Sequence, residues 1–379
     1  MLFFDSSYSQ VKKSGYMVCG DMCVCERTPE RTVFILCDGI GSGVYANISA
    51  STCASRLSEL IRLGVAPRTA CEMVASSMHR ARTESIPFAG FSAAILYSNG
   101  NFTIYTYESP EPILIKDRIA CVLKSVFYTA GYETLGEING NLEIGDSLIL
   151  CSDGVSQAGL GHGYPIGLTQ EGTADFINRE LNSGLKIKAL PEQISSMCSD
   201  ISGGVFEDDT TACLLTCREP EILTVLTGPP LNKDSDKECV RLFLEHAGKK
   251  AICGSSTANM FARETNKEVE MLDEETSFFN PPEYLIEGID LTSEGTLMLN
   301  QVYNIIDEFE QNCEGSVAEK FCSMLNSADV INFMLGRSEN FAHKELAFRL
   351  MGVRLRSSVV ELLAGKLKKM GKLVTERYF

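Results

Sequence analysis

The sequence predicts an α+β fold in two parts. The first is an N-terminal α-β-β-α sandwich, and the second is a smaller α/β domain with a parallel sheet. Three observations carry this reading. From Tyr16 to Thr216 short β-rich runs bounded by turn signals dominate. After Glu219-Pro220 the order changes to strand and helix in alternation, the mark of βαβ units. The 379 residues, 44% of them apolar, suffice for two to three domains with their own cores at roughly 100–200 residues each.

In chain order, the expected strands of the first part are MVCGDMCVCE (17–26), TVFILCDG (32–39), FSAAILYSNGNFTIYTY (91–107), EPILIKD (111–117), DSLILCSDG (146–154) and TTACLLTC (210–217). Ser98-Asn99-Gly100, between apolar runs, marks a hairpin. Helices are expected over Val44–Leu63, from Pro67, a favourable first helical residue, to Arg82, and over Thr173–Ser199. We place the domains at 1–218 and 219–379. In the second, EILTVLTG, KKAICG and KEVEML read as buried strands, with helices near Asp234–Ala247 and Ser256–Glu264 between them. Pro281–Tyr284 interrupts the pattern. Helices near Thr296–Glu310 and Val317–Leu325, a strand ADVINFML and a basic helical tail from Phe341 to Phe379 complete it.

The net charge of −16 argues against nucleic acid and anionic membranes as partners, because both require a basic face. No run approaches the ~18 apolar residues of a membrane span, and the start MLFFDSSYSQVKK lacks the pattern of a signal peptide, so a cytoplasmic protein is expected. Reduced thiols are the default there, and the fifteen cysteines, including the C-x3-C-x-C cluster Cys19, Cys23 and Cys25, read as packing groups.

The most informative residues are aspartates at strand ends. Asp38 follows TVFILC and opens DGIGSG; Asp153 follows SLILCS; Asp208 and Asp209 precede TTACLLTC; Asp21 lies one strand earlier. Such short side chains, projecting from adjacent strands, can converge on one point, and converging carboxylates repel one another unless a cation neutralises them. All-oxygen ligation selects hard ions such as Mg2+ or Mn2+ over zinc. A dinucleotide fingerprint and a Walker phosphate loop are both missing.

The run Gln10–Gly43, CSDGV at Cys151–Val155 and EDDTT at Glu207–Thr211 resemble the metal-dependent PPM (protein phosphatase 2C-like) serine/threonine phosphatases, in the branch of the stage II sporulation protein E phosphatase domain. The likeness spans roughly 1–217 and includes YESPEPILIKD and GDSLILCSDGV. It implies a β-sandwich flanked by helices and hydrolysis of phosphoserine or phosphothreonine on a protein by a water activated by two Mn2+ or Mg2+ ions. By the same resemblance Asp38 would bridge the ions, with the Gly39 carbonyl on the second and Asp153 on the first. Asp208 would be a ligand, Asp209 would orient it or act through water, and Asp21 would reach the second ion through water. The resemblance also implies that helices near the site, here Val44–Leu63 and Pro67–Arg82, switch metal occupancy. His79 and His162 are the histidines of this half that could protonate a leaving group.

In the second domain, Gly254-Ser255-Ser256-Thr257 joins a strand to a helix, an arrangement that suits either a small anionic ligand or a plain helix cap. A regulatory or ligand-binding role is expected there, and the oligomeric state stays open. The alternative reading is a signalling scaffold whose phosphatase domain is degenerate and whose second domain does the binding.

Overall fold

Alternation decides which way each strand of the N-terminal unit faces. In β3 (Arg31–Gly39) Val33, Ile35 and Cys37 point to one side, Phe34 and Leu36 to the other, and all five are buried. A strand apolar on both faces must lie between two layers. The protein, described here from a computed structural model over residues 1–84, 86–272, 281–308, 315–338 and 353–379, divides into the units Met1–Glu219 and Pro220–Phe379.

The first unit holds two antiparallel sheets. One has six strands, β2 (Asp21–Arg27), β3, β4 (Ala89–Tyr97), β5 (Asn101–Tyr107), β9 (Glu133–Asn141) and β8 (Val126–Ala130), in that spatial order. The other has five, β1 (Phe3–Val11), β11 (Thr210–Arg218), β10 (Ser147–Cys151), β6 (Ile113–Lys116) and β7 (Ile119–Val122). Phe34 and Leu36 meet Leu148, Leu150, Cys213 and Leu215 between the sheets. Helices α1 (Val44–Arg62) and α2 (Pro67–Thr83) cover the outer face of the first sheet through Cys53, Leu57 and Val74. On the second sheet lie α4 (Thr169–Asn182) and α5 (Leu190–Ile201), through Ile177, Leu181 and Ile194. This is the expected α-β-β-α sandwich, with the short α3 (Asp153–Ser156) at the end of β10.

Two details differ from the sequence reading. The helical region Thr173–Ser199 is two helices, broken after Asn182 where Gly184 takes a φ of +99°. Strand β1 and strands β7–β9 are additional; β1 edges its sheet and carries polar residues at both parities, so alternation does not betray it. The cysteines pack as expected: of those described, Cys121 is exposed, Cys19, Cys23 and Cys25 are half-buried, and the others are buried.

The second unit is doubly wound around a mixed sheet. Strands β16 (Leu291–Ser293), β13 (Lys249–Cys253), β12 (Ile222–Thr227), β17 (Val330–Leu335) and β18 (Leu373–Tyr378) are mutually parallel. Helices α6 (Asp236–Glu245) and α7 (Ser255–Thr265) bury one face of this sheet. The other face is buried by α8 (Thr296–Ile305), α9 (Val317–Ser327) and α10 (Arg356–Lys369). KEVEML is not a buried strand: only Glu270–Met271 (β14) pair, both exposed, and they run antiparallel to β15 (Glu283–Leu285). That strand starts directly after the prolines, which lack the N–H groups an interior strand needs. The tail is not wholly helical either, since it ends in β18; the parts of the expected tail and of the expected 296–310 helix at 339–352 and 309–314 lie outside the described residues. Among the described residues no helix is long and apolar enough to cross a membrane.

Candidate metal centre

The alternation that builds the inter-sheet core also ends it. Along β3, Asp38 follows Phe34 and Leu36 on the face turned to the second sheet; along β2, Asp21 precedes Cys23 and Cys25 on that face; along β11, Thr211 and the preceding Asp209 continue the row of Cys213 and Leu215. Where the apolar residues run out, the acidic ones gather at one end of the sandwich. Asp21 and Asp38 are direct cross-strand partners. Asp38 Oδ2 accepts the Asp153 N–H at 3.3 Å, which ties β3 of one sheet to the end of β10 in the other.

Each carboxylate is held by neighbours. Asp21 Oδ2 accepts the Thr211 hydroxyl at 2.6 Å. Asp153 Oδ2 accepts the Gln157 amide at 2.8 Å, from the far end of α3. Asp209, buried, accepts the Lys13 N–H at 2.9 Å and donates its own N–H to Asp208 Oδ1 at 2.9 Å. Ser152 accepts the Thr211 N–H and donates to the Asp209 carbonyl. Asp208 is half-buried, more open than Asp209. Strand pairing and hydrogen bonds thus link Asp21 with Asp38, Asp38 with Asp153 and Asp208 with Asp209, and Thr211, Ser152, Gln157 and the Lys13 amide, which the sequence reading did not single out, contact them. Thr211 and Ser152 stand within two residues of an aspartate, a signal that could have exposed them.

Glycines let the backbone close around this point. A Cβ on Gly39 would stand 2.0 Å from the Ala46 carbonyl oxygen, so only glycine lets the first turn of α1 pack on the end of β3. A Cβ on Gly20 would stand 2.7 Å from Asp209 Oδ2.

The electrostatics are those of uncompensated negative charge. Burial, reinforced by repulsion from Asp21 and Asp153, pushes the Asp38 carboxyl up to about 10. Burial likewise pushes Asp21 up to about 7, against the hydrogen bond from Thr211 and with the help of the Asp209 and Asp153 charges. Asp208 is raised too, first by burial. The second oxygen of Asp21 is buried with no hydrogen-bond partner, which in a folded interior calls for an absent group. The donors are all oxygen, the set that hard divalent cations take. Among the described residues no three Asp, Glu, His or Cys side chains form a cage by themselves, so an ion at this point would complete its shell with carbonyl oxygen and water. The residues present fit Mg2+ or Mn2+ on those terms.

The histidines stand apart. His79 Nδ1 pairs with Glu133 and its ring stacks on Tyr132, 5.5 Å between centroids. His162 Nε2 is 3.6 Å from the Glu207 carboxylate. Neither hydrogen-bonds to an aspartate of the centre. Gly254-Ser255-Ser256-Thr257 opens α7 in the other unit, with Ser255 and Ser256 exposed; the buried Thr257 hydroxyl accepts the Gly228 N–H at 2.8 Å, so the group closest to the strand ends is already engaged.

Fold and acidic centre together define a domain of the PP2C phosphatase type. The chain belongs to the stage II sporulation protein E (SpoIIE) family, whose model matches residues 28–218, just over half of its 379 residues. Among solved structures it is similar to the PP2C phosphatase domain with a fragment of the regulatory domain of the cell fate determinant SpoIIE from Bacillus subtilis, at 17% identity and a TM-score of 0.49, over 57% of this chain and 64% of that one. It is also similar to the RsbU and RsbW domains of Rv1364c from Mycobacterium tuberculosis, at 21% identity and a TM-score of 0.49, over 64% and 68% of the two chains. The catalytic domain of the serine/threonine protein phosphatase PstP, solved with two manganese ions, is 12% identical over 58% of this chain and all of that one, at a TM-score of 0.41. No curated protein matches the chain.

Proposed function

We propose that the N-terminal unit hydrolyses phosphoserine and phosphothreonine on proteins, in cytoplasmic signalling, with the help of two Mn2+ or Mg2+ ions. The observation that carries the reading is the pairing of Asp21 with Asp38 across β2 and β3, with the backbone of Asp153 on the same Asp38 carboxylate. Asp38 would be shared between the ions, with the Gly39 carbonyl beside it; Asp153 and Asp208 would each hold one, and Asp21 would act through water. Asp209, one oxygen of which accepts the Lys13 N–H, would hold Asp208 in place through its own N–H or act through water. Bound there, divalent cations supply the charge that draws in a phosphate dianion and lower the pKa of a water that attacks phosphorus.

The chain's own part is orientation. Gln157 fixes Asp153, Thr211 fixes Asp21, and the buried Ser152 ties the two strand ends together. A covalent nucleophile is not needed, and burial raises the thiols nearby: Cys37 is pushed up well beyond the ordinary cysteine range.

The test is hydrolysis of p-nitrophenyl phosphate and of a phosphoserine peptide with Mn2+ present. Asp153→Asn is expected to lower kcat/KM by on the order of 100-fold or more, the loss of a ligand exceeding that of an outer partner. Full activity in that variant would contradict the assignment.

A further inference from the structure

Behind the acidic centre, two thiols from different sheets touch. Cys23 of β2 and Cys213 of β11 lie with their sulfurs 3.5 Å apart in the inter-sheet core. Each stands two residues further along its strand than a residue of the centre, Cys23 from Asp21 and Cys213 from Thr211, and so lies on the same face. Asp21 and Thr211 are themselves joined by a hydrogen bond of 2.6 Å. The sulfur contact is therefore the next rung beneath that bond, about 6–7 Å along both strands.

Proximity and access single this pair out. Sulfurs already in contact need only a small approach to form a disulfide, whose bond is about 2.05 Å long. β2 is the outermost strand of its sheet and Cys23 is half-buried there, so a small oxidant can reach it from the open side of the sandwich, while Cys213 is fully buried. One thiol open to solvent and backed by a second that can resolve it is the arrangement of redox-responsive cysteines. Cys37 also lies beside Cys53, but both are fully buried beneath α1.

We propose that Cys23 and Cys213 are an oxidative modification site, which hydrogen peroxide converts to a disulfide that fastens the two sheets beneath the acidic centre and weakens its hold on divalent metal. The Cys23 sulfur attacks one peroxide oxygen, the O–O bond breaks, water leaves and Cys23 carries a sulfenic acid. The Cys213 sulfur then displaces that hydroxyl, which leaves as a second water with the proton of the Cys213 thiol. Two thiols are thus oxidised by two electrons to one disulfide and one peroxide is reduced to two waters; exchange with an added thiol reverses the step. Drawing the sulfurs together moves β2 against β11 in a packed interior that has little slack, and the first groups to shift are Asp21 and Thr211. The cross-link stands on the sulfur geometry alone; its effect on metal rests on the metal-centre reading above.

The experiment treats the reduced, metal-free full chain with hydrogen peroxide, removes the oxidant and keeps the monomeric fraction, since the exposed Cys121 can join two chains. Mass spectrometry of unreduced peptides reads the cross-link, calorimetry reads Mn2+ binding, and p-nitrophenyl phosphate reads turnover. Peptides joined through Cys23 and Cys213 are expected, with Mn2+ affinity lowered about tenfold, the lower end of what disturbing an outer partner of a ligand costs. Dithiothreitol is expected to reverse both changes. Cys23→Ser and Cys213→Ala are each expected to keep the activity of the reduced chain and to lose the response to peroxide, and the half-buried position keeps the test open where the buried one fails to fold. Absence of the Cys23–Cys213 peptides, a cross-linked chain that binds Mn2+ as the reduced one does, or a peroxide response that persists in both variants overturns the proposal. A reversible cross-link in a chain that takes up no Mn2+ even when reduced upholds the modification site and counts against the metal centre instead.

Discussion

Asp38 illustrates at the scale of one residue how burial without a counter-charge makes a carboxyl hold its proton. Its carboxyl and that of Asp21 bind a proton more tightly in the folded chain than in the unfolded one, where an aspartate titrates near 3.8. Folding is thus favoured, as far as these groups go, while they remain protonated. That contribution is lost as pH rises through about 7 for Asp21 and towards about 10 for Asp38. The melting temperature of the metal-free protein is therefore expected to fall between about pH 5 and about pH 8, and Mn2+ is expected to raise it more at the upper end, where more carboxylate is available to the ion. A metal increment independent of pH in differential scanning fluorimetry would contradict this. Thr211 offers a finer probe, because its hydroxyl bonds Asp21 at 2.6 Å without being a ligand itself. Thr211→Val should raise the Mn2+ concentration needed for half-maximal hydrolysis by about 10–100-fold, the usual effect of losing an outer partner.

Strands and helices set where those residues stand, and the sequence announced some of them far better than others. β3, β10 and β11 were legible because each is a short apolar run that ends or begins on Asp, so that strand and candidate ligand are read together. By contrast β1 is polar along much of its length and its pairing is decided by neighbours distant in sequence, such as Phe3 opposite Arg218, while β7 is only four residues long. The same limit hid the contacts among site residues: Lys13 meets Asp209, and Thr211 meets Asp21, across 196 and 190 positions. In the second unit β15 escaped and β14 was read as a buried strand, because an antiparallel pair added to a parallel sheet leaves no mark in a strand–helix alternation. Gly39 couples two elements, since the first turn of α1 rests on it. Gly39→Ala should destabilise the protein by about 1–3 kcal/mol through overpacking against the Ala46 backbone and lower Mn2+ affinity with it; urea titration checks the first effect. Unchanged stability would show that α1 can yield at that contact.

At the scale of the molecule, the units Met1–Glu219 and Pro220–Phe379 each have their own sheets and cores. A chain cut after Glu219 is accordingly expected to fold and to retain Mn2+-dependent hydrolysis of p-nitrophenyl phosphate within about twofold, as independent domains do. A truncated chain that aggregates or loses that activity would show the second unit to be part of the catalytic machinery. On the proposed function the net charge of −16 would give the cations a further task, since an anionic phosphoprotein would have to approach a surface of the same sign. The central claim is that the aspartates at the strand ends are a metal centre, and calorimetric titration of the purified, metal-free chain with Mn2+ tests it most directly. The account predicts saturable binding of two ions, sharply weakened in Asp38→Asn; a chain that takes up no Mn2+, or an Asp38→Asn variant that binds as the original does, would contradict it and leave a binding scaffold in place of an enzyme.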